Sequence, residues 1–149
     1  MSLASLLTDQ QQRIDALITL LGNEQSLLTQ GNIDGDALAD VASQKQHLLT
    51  ELERIEVLRR NVQRRLGYES GALGAKAAAQ DAGCTDAWQH LLEKSERAAR
   101  MNALTGEMLS LRMQHNQQML DYIRQIAEKT LYNPNGRNSA QPGRINASA

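Results

Sequence analysis

Along most of the chain, apolar residues recur at alternating intervals of three and four, the period of a helix with one buried face. From about Leu3 to Gln30 the seam is Leu3, Leu7, Ile14, Leu17, Leu21 and Leu28, broken by the polar Gln10 and Glu24. From about Asp36 to Leu66 it is Leu38, Val41, Lys45, Leu48, Leu52, Ile55, Arg59, Val62 and Leu66. From about Asp86 to Thr130 it runs through Trp88, Leu92, Ser95, Ala99, Asn102, Gly106, Leu109, Met113, Asn116, Leu120, Ile123 and Ala127. The end signals agree. Asp34 and Asp36 sit where an N-cap or first-turn acid is wanted, Thr85 can cap the third segment, and Gly67 can take the left-handed position after the second. Both prolines, Pro134 and Pro142, lie beyond these segments. Only Gly22 and Gly106 fall inside them, each costing about 1 kcal/mol relative to alanine. The pattern predicts an all-α protein, an antiparallel bundle of three long helices with coiled-coil-like packing.

The connections refine this picture. Gly31 to Gly35 is a short junction, which forces its two helices to run antiparallel. Gly67 to Cys84 is longer and rich in Ala and Gly; Ala75 to Ala82 is compatible with a short extra helix, but no apolar stripe fixes one. Asn133 to Ala149 is Asn, Ser, Gly and Pro with few apolar residues, the composition of a mobile tail. The expected division is therefore a helical domain over 1–132 and a tail over 133–149.

Helix length carries a functional hint. At 1.5 Å per residue the second segment spans about 47 Å and the third about 68 Å. Laid back along the second, the third reaches its far end near residue 116, and residues 117–130 overhang by about 21 Å. That overhang keeps an apolar stripe of Met119, Leu120, Ile123, Ile126 and Ala127, continued by Leu131 and Tyr132. Three covers fit it: residues of the same chain, a second copy dimerising through this stretch, or a foreign partner. Asn102 and Asn116 on the third seam either set register, as seam asparagines do, or lie on a face that opens to a partner. Met101, Met108 and Met113 read most simply as core filler, Met119 less so.

Composition narrows the function classes. A length of 149 residues suits one domain. There is one Trp, three Tyr and no Phe; Leu, Ala and Gln abound while Val and Ile are few, which argues against sandwiches, barrels and doubly wound sheets. The lone Cys84 cannot form an internal disulfide and fits a reducing compartment. The first residues lack a basic region before an apolar run, and no stretch of about 18 apolar residues exists to span a membrane; the expected location is the cytoplasm. A net charge of −1 gives no support for bulk binding to nucleic acid. The one basic run, Arg54, Arg59, Arg60, Arg64 and Arg65, is interleaved with Glu51, Glu53 and Glu56, the pattern of a salt-bridged outer face.

Chemistry is sparse. Three residues before His47, His90 and His115 stand Gln44, Ala87 and Arg112, so the Glu-x-x-His pairs of di-iron bundles are missing. No Cys-x-x-Cys, His-Glu-x-x-His or Gly-rich phosphate loop occurs, and Cys84 has no basic neighbour in sequence to activate it. The expectation is a non-enzyme with no cofactor and no metal.

Three local patterns resemble one family. They are Lys45-Gln46-His47-Leu48-Leu49 with Leu52-Glu53, Arg59-Arg60 and Leu66-Gly67; the run from Leu111 to Leu120 around Asn116; and the ending Leu131-Tyr132-Asn133-Pro134-Asn135-Gly136-Arg137. In order and spacing, over roughly residues 3–137, the chain resembles the FlgN family of flagellar export chaperones. The family's charged residues between the closing Tyr and Gly are here Asn133, Pro134 and Asn135. The resemblance implies a cytoplasmic, non-enzymatic chaperone; the expected state is a monomer or weak homodimer. Its partners would be the C-terminal helices of hook-associated proteins and the cytoplasmic domain of the export gate. It implies client capture by the C-terminal helical region, Asn116 to Leu131 here, and gate docking by Tyr132.

Overall fold

A computed structural model describes residues 2–131, with side chains through Glu128. Four helices account for most of them: α1 (Leu3–Leu28), α2 (Gly35–Arg65), α3 (Ala72–Asp81) and α4 (Thr85–Leu131). No strand occurs among the described residues. The expected tail, 133–149, lies outside them. The chain divides into two compact units, residues 1–106 and 107–149, with α4 contributing to both.

Each helix boundary has a local cause. Ser2 and Ser5 form a reciprocal capping box at 3.1 Å in both directions, which starts α1. Asp34 accepts from the Ala37 amide at 3.0 Å and starts α2, leaving Asp36 as the first-turn acid. Gly67 ends α2 at φ +89°, with its amide on the Arg64 carbonyl and the Tyr68 amide on that of Gln63. Gly83 ends α3 the same way at φ +72°, with bonds to Gln80 and, from Cys84, to Ala79. The second turn runs straight into α4. The Cys84 carbonyl already accepts from the Trp88 amide, so Thr85 is the first helical residue and not the cap its sequence position suggests.

Within residues 1–106 the first seam is buried throughout, including both of its polar breaks, and Leu6 joins it. Ion pairs set the helix directions. Arg13 meets Glu51 at 3.4 Å and Glu24 meets Lys45 at 2.9 Å, so α1 and α2 are antiparallel. Asp15 meets Lys94 at 2.9 Å and Gln25 donates to the Met101 carbonyl at 3.1 Å, so this part of α4 runs parallel to α1. The core gathers Leu7, Ile14, Leu17 and Leu21 of α1 with Ala78 of α3 and Leu91 and Ala98 of α4.

The polar breaks are organised. Lys45 Nζ donates to both Glu24, at 2.9 Å, and Asn102 Oδ1, at 3.3 Å. One seam position from each of three helices thus meets at one level, which fixes their register. Gln10 is the exception: its Oε1 is buried and unpartnered.

On α4 the deepest line is Leu91, Ala98 and Thr105, one position away from the predicted Leu92, Ala99 and Gly106. The helix contacts two neighbours, so a face wider than one stripe is covered. Trp88 and Asn102 turn toward α2, and Lys94, Met101 and Thr105 toward α1. Leu66 is exposed because it is the C-cap of α2 and no longer on its face.

The short α3 buries Gly74, Ala75, Ala78 and Ala79, a stripe of small residues, while Leu73 points outward. Gly74 is there because nothing larger fits. A Cβ on it would lie 1.7 Å from the Glu69 carbonyl oxygen and 2.8 Å from Gln63 Nε2. That close approach lets Gln63, itself 3% exposed, donate to the Glu69 carbonyl while its Oε1 accepts from Arg59 Nη1 at 2.8 Å. Arg59 also donates to Glu56 and stacks 4.9 Å from the centre of the Trp88 ring. The outer-face reading of the basic run therefore fails for Arg59, which is 7% exposed; Arg54, Arg60, Arg64 and Arg65 are exposed, and of these Arg54 pairs with Glu51 and Arg60 with Glu56. The Arg59 charge is buried because a carboxylate, an amide and a ring surround it.

Candidate functional site

Residues 107–131 continue α4 as one helix with no proline and no interior break. At about 100° per residue most of their polar side chains fall into one arc: Glu107, Ser110, Gln114, Gln117, Gln118, Asp121, Arg124, Gln125 and Glu128, with Arg112, His115 and Asn116 outside it. This face ties itself together, with Gln117 donating to Asp121 at 3.1 Å and Arg124 lying 3.8 Å from the same carboxylate.

The rest of the circumference is mostly apolar and exposed, with Arg112, His115 and Asn116 set among the apolar residues. Met119 is 52% exposed, Leu120 47%, Ile123 50% and Ile126 47%. Asn116 is exposed beside them and Ala127 half-buried. Leu131 belongs to the helix by its backbone, but its side chain is not described, and Tyr132 lies outside the described residues. The sequence-predicted residues from Asn116 to Ala127 are therefore brought to one side of one helix.

The same side holds more than the sequence reading assigned to it. Leu109, Leu111, Met113 and Tyr122 are exposed as well. Met113 is not core filler, at 64% exposed, whereas Met101 and Met108 are half-buried. With these residues the apolar arc widens to roughly 200° of the helix, about twice the stripe that one packed neighbour covers. The signal was in the spacing, because Leu109 and Met113 continue the third seam; reading that seam as buried hid it.

Within the apolar arc the described charged side chain is Arg112, with His115 near it. Among the described residues, the two groups displaced from ordinary pKa values both belong to residues 1–106. Glu51 is held down, first by a hydrogen bond from Arg54 and then by its charge. Tyr68 is held up because its phenol donates to the Asp81 carboxylate. Among the described residues no group of three His, Cys, Asp or Glu side chains could hold a metal ion, and no helix is long and apolar enough to cross a membrane. What the arc can do is bind: it offers Leu, Ile, Met and Tyr surface to an amphipathic helix.

The family model for FlgN protein matches residues 1–140. The flagella synthesis protein FlgN of Escherichia coli (strain K12) is 29% identical over 137 residues, 92% of this chain and 90% of that protein. The FlgN of Salmonella typhimurium is 28% identical over the same length and coverage, and that of Proteus mirabilis 25% identical over 128 residues, 86% and 84% of the two chains. No solved structure matches the chain.

Proposed function

This chain belongs to the FlgN family, whose relatives named above are flagella synthesis proteins, and on that premise we propose that it is a cytoplasmic export chaperone of flagellum assembly. It holds the C-terminal helical segments of hook-associated proteins and passes them to the cytoplasmic domain of the export gate. The observation that carries this reading is the open apolar arc on α4, centred on Met119, Leu120, Ile123 and Ile126. Helical ends that would otherwise self-associate find there a surface of matching chemistry. The three long helices serve as a coiled-coil-like scaffold, and Tyr132 supplies the ring and hydroxyl of the gate contact.

The energetics suit a carrier. Covering a half-exposed large side chain contributes about 1 kcal/mol. The eight exposed apolar residues from Leu109 to Ile126 together contribute about 6–12 kcal/mol. Association costs at least about 4 kcal/mol, which leaves a reversible grip no tighter than about micromolar. Such a client can be released by competition at the gate.

Leu120→Asp combined with Ile123→Asp is expected to abolish binding of a hook-associated C-terminal peptide in calorimetry, with the helical circular dichroism retained. Unchanged affinity would remove the arc as the client site. Light scattering at two concentrations tests the other occupant of the same surface. A tight dimer that these substitutions break, in a protein that binds no client, would assign the arc to self-association. Tyr132→Ala should spare client binding and weaken the gate contact.

A further inference from the structure

We propose that residues 1–106 carry a second binding site, a pocket for an acidic peptide segment at the junction of α2, α3 and α4. A cavity of about 550 Å³ opens there, within the size range of ligand pockets. Its wall is cationic. Arg60 and Arg64 stand one turn apart on α2, both exposed, with Arg59 buried beside them. Among the described residues the acid paired with them is Glu56, which accepts from Arg59 and lies 4.0 Å from Arg60, while Tyr68 of the same lining donates to Asp81. Arg64 has no ion pair among the described residues. The hydrogen bonds of Arg59 use Nε and Nη1, and neither uses the Nη2 amino group.

Two further features favour an anion with an apolar neighbour. The first turn of α3 enters the same cavity at Gly71, whose lack of a side chain leaves the helix without a side-chain cap; its first amides and the positive end of its dipole add to the arginines. Across from them Leu92 and Trp88 give apolar surface. The site is also held in advance. Gly74 admits the Glu69 carbonyl, that carbonyl holds Gln63, and Gln63 holds Arg59 against Trp88.

A peptide carboxylate fits better than a nucleic acid. Phosphate backbones need cations repeated along a track, whereas here Glu51, Glu53 and Glu56 occupy α2 immediately before the cluster and the whole chain carries a charge of −1. Arg59 already covers a face of the Trp88 ring, which denies that face to a base. Arg60 and Arg64 present two separate forks suited to two carboxylates, and Leu92 suits a leucine-sized residue between them. The occupant is thus a segment of a partner protein in which Asp or Glu alternates with apolar residues.

Trp88 is the only tryptophan of the chain and reports on its own pocket. The full chain is titrated with an acetylated and amidated Glu-Leu-Glu-Leu-Glu peptide, with its Gln-Leu-Gln-Leu-Gln counterpart, with inorganic phosphate and with oligothymidylate. The acidic peptide should give a saturable change in Trp88 emission. The amide peptide should bind at least about tenfold more weakly, and so should the acidic peptide on the Arg60→Gln, Arg64→Gln protein, the loss expected of charge-assisted bonds. Both arginines are solvated, so the circular dichroism should not change. Leu120→Asp with Ile123→Asp should leave this titration as it is, which separates the pocket from the client arc. Equal binding of the two peptides, an unaffected arginine variant, or no saturable change at millimolar peptide would overturn the proposal. Tighter binding of oligothymidylate would replace it with a nucleic-acid site, and phosphate binding as tight as the peptide's with a simple anion site.

Discussion

Gly74→Ala separates two physical effects of opposite sign. Inside a helix, alanine is favoured over glycine by about 1 kcal/mol. At Gly74 the added Cβ would stand 1.7 Å from the Glu69 carbonyl oxygen and 2.6 Å from its carbon, both backbone atoms, so the 67–71 loop must move. Overpacking of this kind costs about 1–3 kcal/mol. Moving the loop also disturbs the Glu69 and Gly71 carbonyls to which Gln63 Nε2 donates, in a side chain only 3% exposed, at a further cost of about 1–3 kcal/mol. After the helix gain, the net loss is about 1–5 kcal/mol. Gly22 and Gly106 supply the control, since a Cβ on either meets nothing within 4 Å; alanine there should stabilise by about 1 kcal/mol each. Urea unfolding followed by Trp88 emission and by circular dichroism measures all three. If Gly74→Ala matched the two controls in sign, the packing argument for α3 and its loop would be wrong.

The polar layer and the Tyr68 phenol yield two more tests. Lys45→Met leaves Glu24, its side chain 9% exposed, without its cation and should cost about 2–3 kcal/mol in urea unfolding, since the 21% exposed Lys45 was only partly desolvated. Adding Glu24→Leu should recover most of that; a double variant no better than the single would show the pair is not what holds this level. Tyr68 has a raised pKa in the folded chain because it donates to Asp81. Its contribution is therefore complete below the ordinary phenol range and is lost as pH rises through the folded value. In tyrosinate absorbance Tyr68→Phe should remove the highest-pH part of the parent transition and Asp81→Asn should bring that part down; a Tyr68→Phe curve that lost the same share across the whole range would refute this.

How much was legible follows from side-chain type. The α1 seam could be read, apart from Leu6, because leucine every third or fourth residue has one interpretation, and even its breaks at Gln10 and Glu24 stayed on the buried line. The α3 helix could not be fixed, since Gly74, Ala75, Ala78 and Ala79 bury by being small and carry almost no hydropathy contrast. On α4 the period was right and the phase was one residue off, because a helix between two neighbours has no single stripe. Arg59 was misread because charge was taken to mean solvent, yet its seam position was the correct signal. The arc beyond residue 107 was half seen: its lower part looked like more core until Leu109 and Met113 proved open to water.

The contact of Lys45 with Glu24 and Asn102 bears on the order in which the molecule assembles. Glu24 and Lys45 are 21 residues apart, whereas Asn102 follows Lys45 by 57. A growing chain can therefore close its first hairpin in the correct alignment before the last rod has been synthesised. That rod then docks on a ready-made ruler, and a one-turn slip during its arrival forfeits the ammonium group waiting for the amide oxygen.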